Sequence, residues 1–155
     1  LELFEQVGVL DAVIVPVGGG GLLSGITLAL RELSPSTRVY AAEPFGADDA
    51  WRSKAAGRLI PQLAPATIAD GLKTSLGETT TWPVVRDLVT AVIRVTEAEI
   101  VAAMRLIWTR LKQVVEPSAA VPLAACLGDE FKAIDAPRVG LVLSGGNVDL
   151  DRLPW

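Results

Sequence analysis

Among its 155 residues the chain has no histidine, one cysteine (Cys126), one methionine and one tyrosine. Without histidine it supplies no Ser-His-Asp or Cys-His pair, no His-ligated zinc and no His general base. A lone cysteine forms no internal disulfide, which fits a reducing cytoplasm. Charge of either sign is not in large excess: 14 Lys plus Arg against 18 Asp plus Glu leaves −4. Dispersed basic residues on a mildly acidic chain make it a poor candidate for an electrostatic nucleic-acid binder. The opening Leu1-Glu2-Leu3-Phe4-Glu5 has no basic segment and no cleavage site, so it does not read as a signal peptide. Residues 12–30 carry no charge and are long enough on paper for a bilayer. Pro16 and the glycines from Gly18 to Gly21 break that run, so it reads as a strand, a glycine turn and a helix. No membrane association is expected. What the chain does have is 50% hydrophobic residues, enough to bury a core.

Four short apolar runs, 12–17, 38–42, 91–95 and 138–143, read as strands. Apolar residues at both parities mean that both faces are covered, as in a parallel sheet between helices. Residues 21–33 read as a helix stopped by Ser34-Pro35. Thr96 and Glu99 form a capping box for a helix to about Lys112, with Ile100, Met104, Ile107 and Leu111 on its buried face. Another helix is expected over 117–131, irregular near its start because of Pro122. Residues 58–83 are rich in Pro, Thr and Gly and read as a functional loop. The alternation predicts an α/β fold, a three-layer αβα arrangement with a mostly parallel sheet. Ligands are expected beyond the carboxyl ends of its strands.

Val17-Gly18-Gly19-Gly20-Gly21-Leu22 follows the first strand and opens a helix. Glycine amides crowd easily around a small anion, and the helix N-terminus adds partial positive charge. The spacing fits neither the dinucleotide fingerprint nor a P-loop, so the loop suits a single phosphate; a flexible tight turn is the plainer alternative. A second glycine turn, Leu143-Ser144-Gly145-Gly146-Asn147, follows the last strand and could face the same cleft, where Ser144 presents a hydroxyl. After the second strand, Glu43-Pro44-Phe45-Gly46-Ala47-Asp48-Asp49 concentrates carboxylates suited to a hard cation. From composition alone, a solvated acidic loop with a helix N-cap at Asp48 or Asp49 explains that segment as well.

These motifs resemble the fold-type II pyridoxal-phosphate enzymes, specifically the serine/threonine dehydratase and serine racemase family. The likeness is carried by Pro16-Val17-Gly18-Gly19-Gly20-Gly21-Leu22, Ala42-Glu43-Pro44, Thr67-Ile68-Ala69-Asp70-Gly71, Glu116-Pro117-Ser118 and Leu143-Ser144-Gly145-Gly146-Asn147, in family order. The segments 43–54 and 67–95 look closest to serine racemases and 3-hydroxyaspartate dehydratases. Ser118-Ala119-Ala120 departs from the Thr-Ala-Gly of close racemase relatives.

The resemblance implies a tryptophan synthase β-like large domain spanning 1–155. It would be the C-terminal half of a longer enzyme whose other half holds the small domain and the Schiff-base lysine. Lys54, Lys73, Lys112 and Lys132 all lack the family's context for that lysine. It further implies that Gly18, Gly19, Gly20, Gly21 and Leu22 hold the phosphate of pyridoxal 5′-phosphate. Ser144, beside Gly145, would bond the pyridine nitrogen, and Gly71 would lie on one ring face. Glu116 would tune the ring or its surroundings, or else simply cap a helix. Glu43, the Ala47 carbonyl and Asp49 would bind magnesium or calcium. The implied activity is an ammonia-lyase on a β-hydroxy amino acid such as serine, threonine or 3-hydroxyaspartate, in a cytoplasmic homodimer. Serine racemisation and a non-catalytic phosphate-binding or regulatory domain are the alternatives.

Overall fold

The computed structural model describes residues 2–155. Its elements run α1 (Glu2–Val7), β1 (Ala12–Pro16), α2 (Gly21–Leu33), β2 (Arg38–Pro44), α3 (Asp49–Ala56), α4 (Trp82–Leu88), β3 (Ala91–Val95), α5 (Glu97–Leu106), α6 (Pro117–Leu127), α7 (Asp129–Lys132) and β4 (Val139–Leu141). Every strand pairing is parallel, in the order β3-β2-β1-β4. The chain therefore winds outward from β1 to β3 and returns to β4 on the other side of β1. The switch point of this doubly wound sheet lies between β1 and β4, where such folds open a crevice.

Strand parity divides the core into two layers. Ala12, Ile14, Tyr40, Ala42, Ile93 and Val95 pack on one face with Ile100, Met104 and the small residues of α6. Val13, Val15, Val39, Ala41 and Val92 pack on the other with Leu23, Leu30, Trp82 and Val85. The alternation is the period-two geometry of a pleated strand. Side chains as small as Ala119, Ala120, Ala124 and Ala125 seat α6 against the sheet, where they are almost wholly buried. Among the described residues no helix is long and apolar enough to cross a membrane.

The expected strands and the helix over 21–33 are all present, and the Thr96–Glu99 capping box forms in both directions. Three local expectations change. The helix begun by α5 widens into a π-turn over Ile107–Leu111 and ends at Lys112, whose φ is 58°. A wider turn rotates later residues off the buried stripe, so Ile100, Met104 and Ile107 are buried while Leu111 is exposed. The helix expected over 117–131 breaks at Gly128 into α6 and α7. Pro122 lies inside α6 without ending it. It removes one amide donor, but the helix is held by burial on the sheet.

A glycine-walled cleft at the switch point

The parallel strands put four loops on one edge of the sheet. Two of them, following β1 and β4, flank a cavity of about 240 Å³ lined by the four glycines, Leu22, Gly71, Leu72, Glu116, Ser118 and Ser144. The two glycine turns thus share one cleft.

Two glycines of the first loop are required by what surrounds them. A Cβ on Gly18 would lie 2.9 Å from the Leu72 backbone. Gly20 has φ +82°, a left-handed conformation that glycine adopts without strain. Its Cβ would lie 2.8 Å from side-chain carbons of both Leu76 and Thr81. Gly21, in contrast, has nothing within 4 Å of its Cβ position and is exposed at the first turn of α2. Among the described residues no amide from 18 to 23 donates a hydrogen bond, the first helical bond being Ser24 N–H to the Gly20 carbonyl at 2.8 Å. A row of unpartnered N–H groups at a helix N-terminus, beside an open cavity, fits a phosphate.

The far wall is built around Glu116. Its amide donates to the Gly145 carbonyl at 3.1 Å, and its carboxylate accepts from the Asn147 amide at 3.1 Å. A Cβ on Gly145 would approach the same carboxylate to 2.7 Å. Glu116 occupies the N-cap position of α6 without a side-chain capping bond, so the carboxylate holds the serine-glycine turn instead. Ser144 is exposed at the cavity. Gly71 donates to the Ser118 hydroxyl at 3.1 Å and to the Asp70 carboxylate at 2.9 Å. Ser118, only 2% exposed, thereby fixes the glycine that closes the cavity. Ser118 stands in the Glu116-Pro117-Ser118 motif as the second residue of α6, but its bond to Gly71, 47 positions away, is visible only in the fold.

The acidic segment folds at the end of β2, beside the glycine loop. Glu43 and Asp49 are each 1% exposed, and Ala47 is fully buried. The Glu43 carboxylate accepts from the amides of Ala50 (3.3 Å) and Trp51 (2.6 Å), and burial pushes its pKa up to about 8. Asp49 accepts from the Leu76 amide at 3.0 Å, and burial raises its pKa too. Asp48 is at the N-cap of α3 but makes no capping bond; it pairs with Arg52 at 2.7 Å and Arg94 at 3.1 Å. Arg94 also stacks on Phe45 and Trp51, 4.5 and 3.5 Å from the ring centroids. This is a buried corner, not a solvated acidic loop. Among the described residues no cluster of three or more His, Cys, Asp or Glu ligands forms; two buried carboxylates and a carbonyl make up the donor set.

The remaining candidates are structural. Lys54 donates to the carbonyls of Val85 and Arg86 at 3.2 and 3.1 Å, with burial lowering its pKa. Lys112 donates to the Thr109 carbonyl at 2.7 Å, at the end of the helix. Cys126 is half-buried against the core, which raises its thiol pKa. Trp155 meets Trp108 edge to face, ring centroids 5.5 Å apart.

Known proteins share both sequence and fold. A serine racemase of Rattus norvegicus is 51% identical over 158 residues, covering 100% of this chain and 47% of the relative. A beta-hydroxyaspartate dehydratase of Paracoccus denitrificans is 53% identical over 154 residues, covering 99% and 48%. The structure of maize serine racemase superposes with a TM-score of 0.94 at 52% identity, covering 97% and 48%. The chain spans about half the length of the curated relatives it matches. Residues 1–145 match the family described as pyridoxal-phosphate dependent enzyme. With glycine amides lining the cleft at its switch point, the chain belongs to that family, whose cofactor is pyridoxal 5′-phosphate.

Proposed function

We propose that this chain is the cofactor-phosphate half of an ammonia-lyase that converts a β-hydroxy amino acid to a keto acid and ammonia. Pyridoxal phosphate, when bound, supplies the electron sink for charge developing at the substrate α-carbon. The amides of Gly18, Gly19, Gly20, Gly21 and Leu22 hold its phosphate, and the α2 dipole adds to that grip. Gly71, kept in place by Ser118, provides a wall without a side chain for the ring to lie against. Glu116 acts on the cleft by holding the 144–147 turn.

The observation that carries the lyase reading is Ser144, exposed in the same cavity as the phosphate cradle. At a ring nitrogen its hydroxyl donates a hydrogen bond while remaining neutral. A carboxylate there would favour a protonated ring and long-lived charge at the α-carbon. A neutral donor favours a substrate that discharges quickly by expelling a β-hydroxyl. A relative named beta-hydroxyaspartate dehydratase, 53% identical, supports this reading. The second reading is serine racemisation, in which the α-carbon is reprotonated from the other face. The serine racemases among the relatives support it. The two outcomes differ in where the acid group stands.

The same proposal places Mg²⁺ or Ca²⁺ at Glu43, the Ala47 carbonyl and Asp49. Hard oxygen donors of this kind suit those ions, and a cation would relieve two buried carboxylates. The enzyme acts on a small amino acid, as a homodimer in the cytoplasm, and its Schiff-base lysine belongs to the other half.

The deciding experiment supplies the full-length enzyme with L-serine, L-threonine and both 3-hydroxyaspartate diastereomers. Keto acid and ammonia are followed together with the chirality of remaining serine. Keto acid in excess over D-serine is expected. Predominant D-serine establishes racemisation instead, and a colourless protein that takes up no pyridoxal phosphate defeats both.

A further inference from the structure

Thr81 stands behind the glycine loop. It occupies the N-cap position of α4 but makes no capping bond. Pro83, at the start of that helix, has no amide to be capped. The hydroxyl is committed elsewhere. It accepts from the Gly77 amide at 2.8 Å and donates to the Gly19 carbonyl at 2.8 Å. A hydroxyl has one proton. The Gly77 N–H occupies an acceptor lobe, and of the two carbonyls in reach the proton goes to Gly19 at 2.8 Å rather than to Gly77 at 3.4 Å. The backbone ties Thr81 down as well, since its amide donates to the Gly77 carbonyl at 3.1 Å and that of Trp82 does so at 2.9 Å.

The consequence lies in the peptide plane. No cis peptide occurs among the described residues, so the Gly19 carbonyl and the Gly20 N–H point in opposite directions. Thr81 does not line the cavity, whereas Gly19, Gly20 and Gly21 do. Pulling the Gly19 carbonyl toward Thr81 therefore turns the Gly20 N–H toward the cavity. Gly20, at φ +82° and packed on Leu76 and Thr81, has no other partner for that N–H among the described residues.

We propose that Thr81 is a positioning residue that orients the Gly19–Gly20 peptide so that its N–H receives the phosphate. The inference rests on the reading of residues 18–22 as the cradle for the cofactor phosphate. It assigns part of the phosphate recognition to a threonine more than sixty positions downstream of Gly19.

The test uses full-length enzyme freed of cofactor, titrated with pyridoxal 5′-phosphate and, separately, with pyridoxal, which lacks the phosphate. Binding is followed by absorbance and intrinsic fluorescence. Wild type is expected to prefer the phosphorylated ligand. Thr81→Val keeps the side-chain shape without the hydroxyl and is expected to bind pyridoxal phosphate about tenfold more weakly, with pyridoxal affinity unchanged. Thr81→Ala, which relieves any burial of the added methyl, carries the same expectation. Thr81→Ser restores the hydroxyl and wild-type preference. The proposal is overturned if the hydroxyl-free variants bind the phosphorylated ligand like wild type, if they lose both ligands equally, or if Thr81→Ser is as weak as Thr81→Val. A wild type that binds both ligands alike overturns the reading of the loop itself, and does so without reference to any variant.

Discussion

The neighbouring strands β1 and β2 end in opposite chemistries. After β1 the chain presents unpartnered amides and no side chains; after β2 it buries two carboxylates, Glu43 and Asp49. The first region draws its charge from the main chain, and its cost is the chain entropy lost in ordering four consecutive glycines. The second draws its charge from side chains, and its cost is desolvation, seen in the raised pKa of Glu43. The two are joined through one segment. Asp49 holds the Leu76 amide, the Leu76 side chain backs Gly20, and the Gly77 amide holds the Thr81 hydroxyl that donates to the Gly19 carbonyl. A cradle made of backbone is thus braced by a corner made of acids.

The largest effect is expected at Gly46, in the acidic corner. A Cβ there would lie 1.9 Å from the Ala66 carbonyl oxygen, which belongs to backbone. Gly46→Ala should lower folding stability by about 4 kcal/mol, read from urea unfolding, because neither chain can yield cheaply. A loss below about 1 kcal/mol would show that the corner is looser than its burial implies.

A response to pH comes next. With EDTA present, unfolded chains release the Glu43 proton near its ordinary value of 4.5, while the folded state keeps it to about 8. The folded state then binds more protons across that window, so stability falls as pH rises from 4.5 to 8 and levels off above. The loss is on the order of 2 kcal/mol after discounting for relaxation around the buried group. Saturating Mg²⁺ or Ca²⁺ should flatten or reverse the fall, since the ion takes the deprotonated carboxylate. Unfolding curves unchanged by either ion would remove the cation from this corner.

How much of this was legible beforehand follows from whether a feature is local. The strands, the capping box at Thr96 and the glycine loop depend on near neighbours and stand in the sequence. The bracing of the loop does not, because Thr81 and Gly19 are remote in the chain and meet only once α4 packs against α2. Arg94 reads as a lone charge in a strand until Phe45 and Trp51 close around it. Leu111 fits the helical period and is nevertheless exposed, because a π-turn leaves no mark in an apolar pattern. Glu116 reads as a helix cap from its place before Pro117; the Asn147 amide that claims it comes from the far end of the chain.

Asp49→Ala leaves the buried Leu76 amide without its acceptor and should cost about 1–2 kcal/mol. Pyridoxal phosphate affinity should fall with it if the brace transmits, and stay put if the two regions are independent. The smallest change in stability is expected at Gly21. Nothing surrounds its Cβ position, and alanine suits a helix better. Gly21→Ala should therefore alter stability by less than about 0.5 kcal/mol, while narrowing the cleft and weakening cofactor binding in the same titration. Together with Gly20→Ala, expected to damage both, this separates the glycine required by the fold from the one left open to the ligand.

Because the cradle is made of amides, it has no group of its own that gains or loses a proton across the physiological range. Its attraction for an anion is constant with pH. Any pH dependence of phosphate binding at this loop therefore belongs to the ligand, whose second ionisation lies near pH 6. The acidic corner is the reverse case, a site whose own charge is set by the medium. The loops after β1 and β2 thus set a cradle whose own charge acidity does not change against a corner whose charge it does.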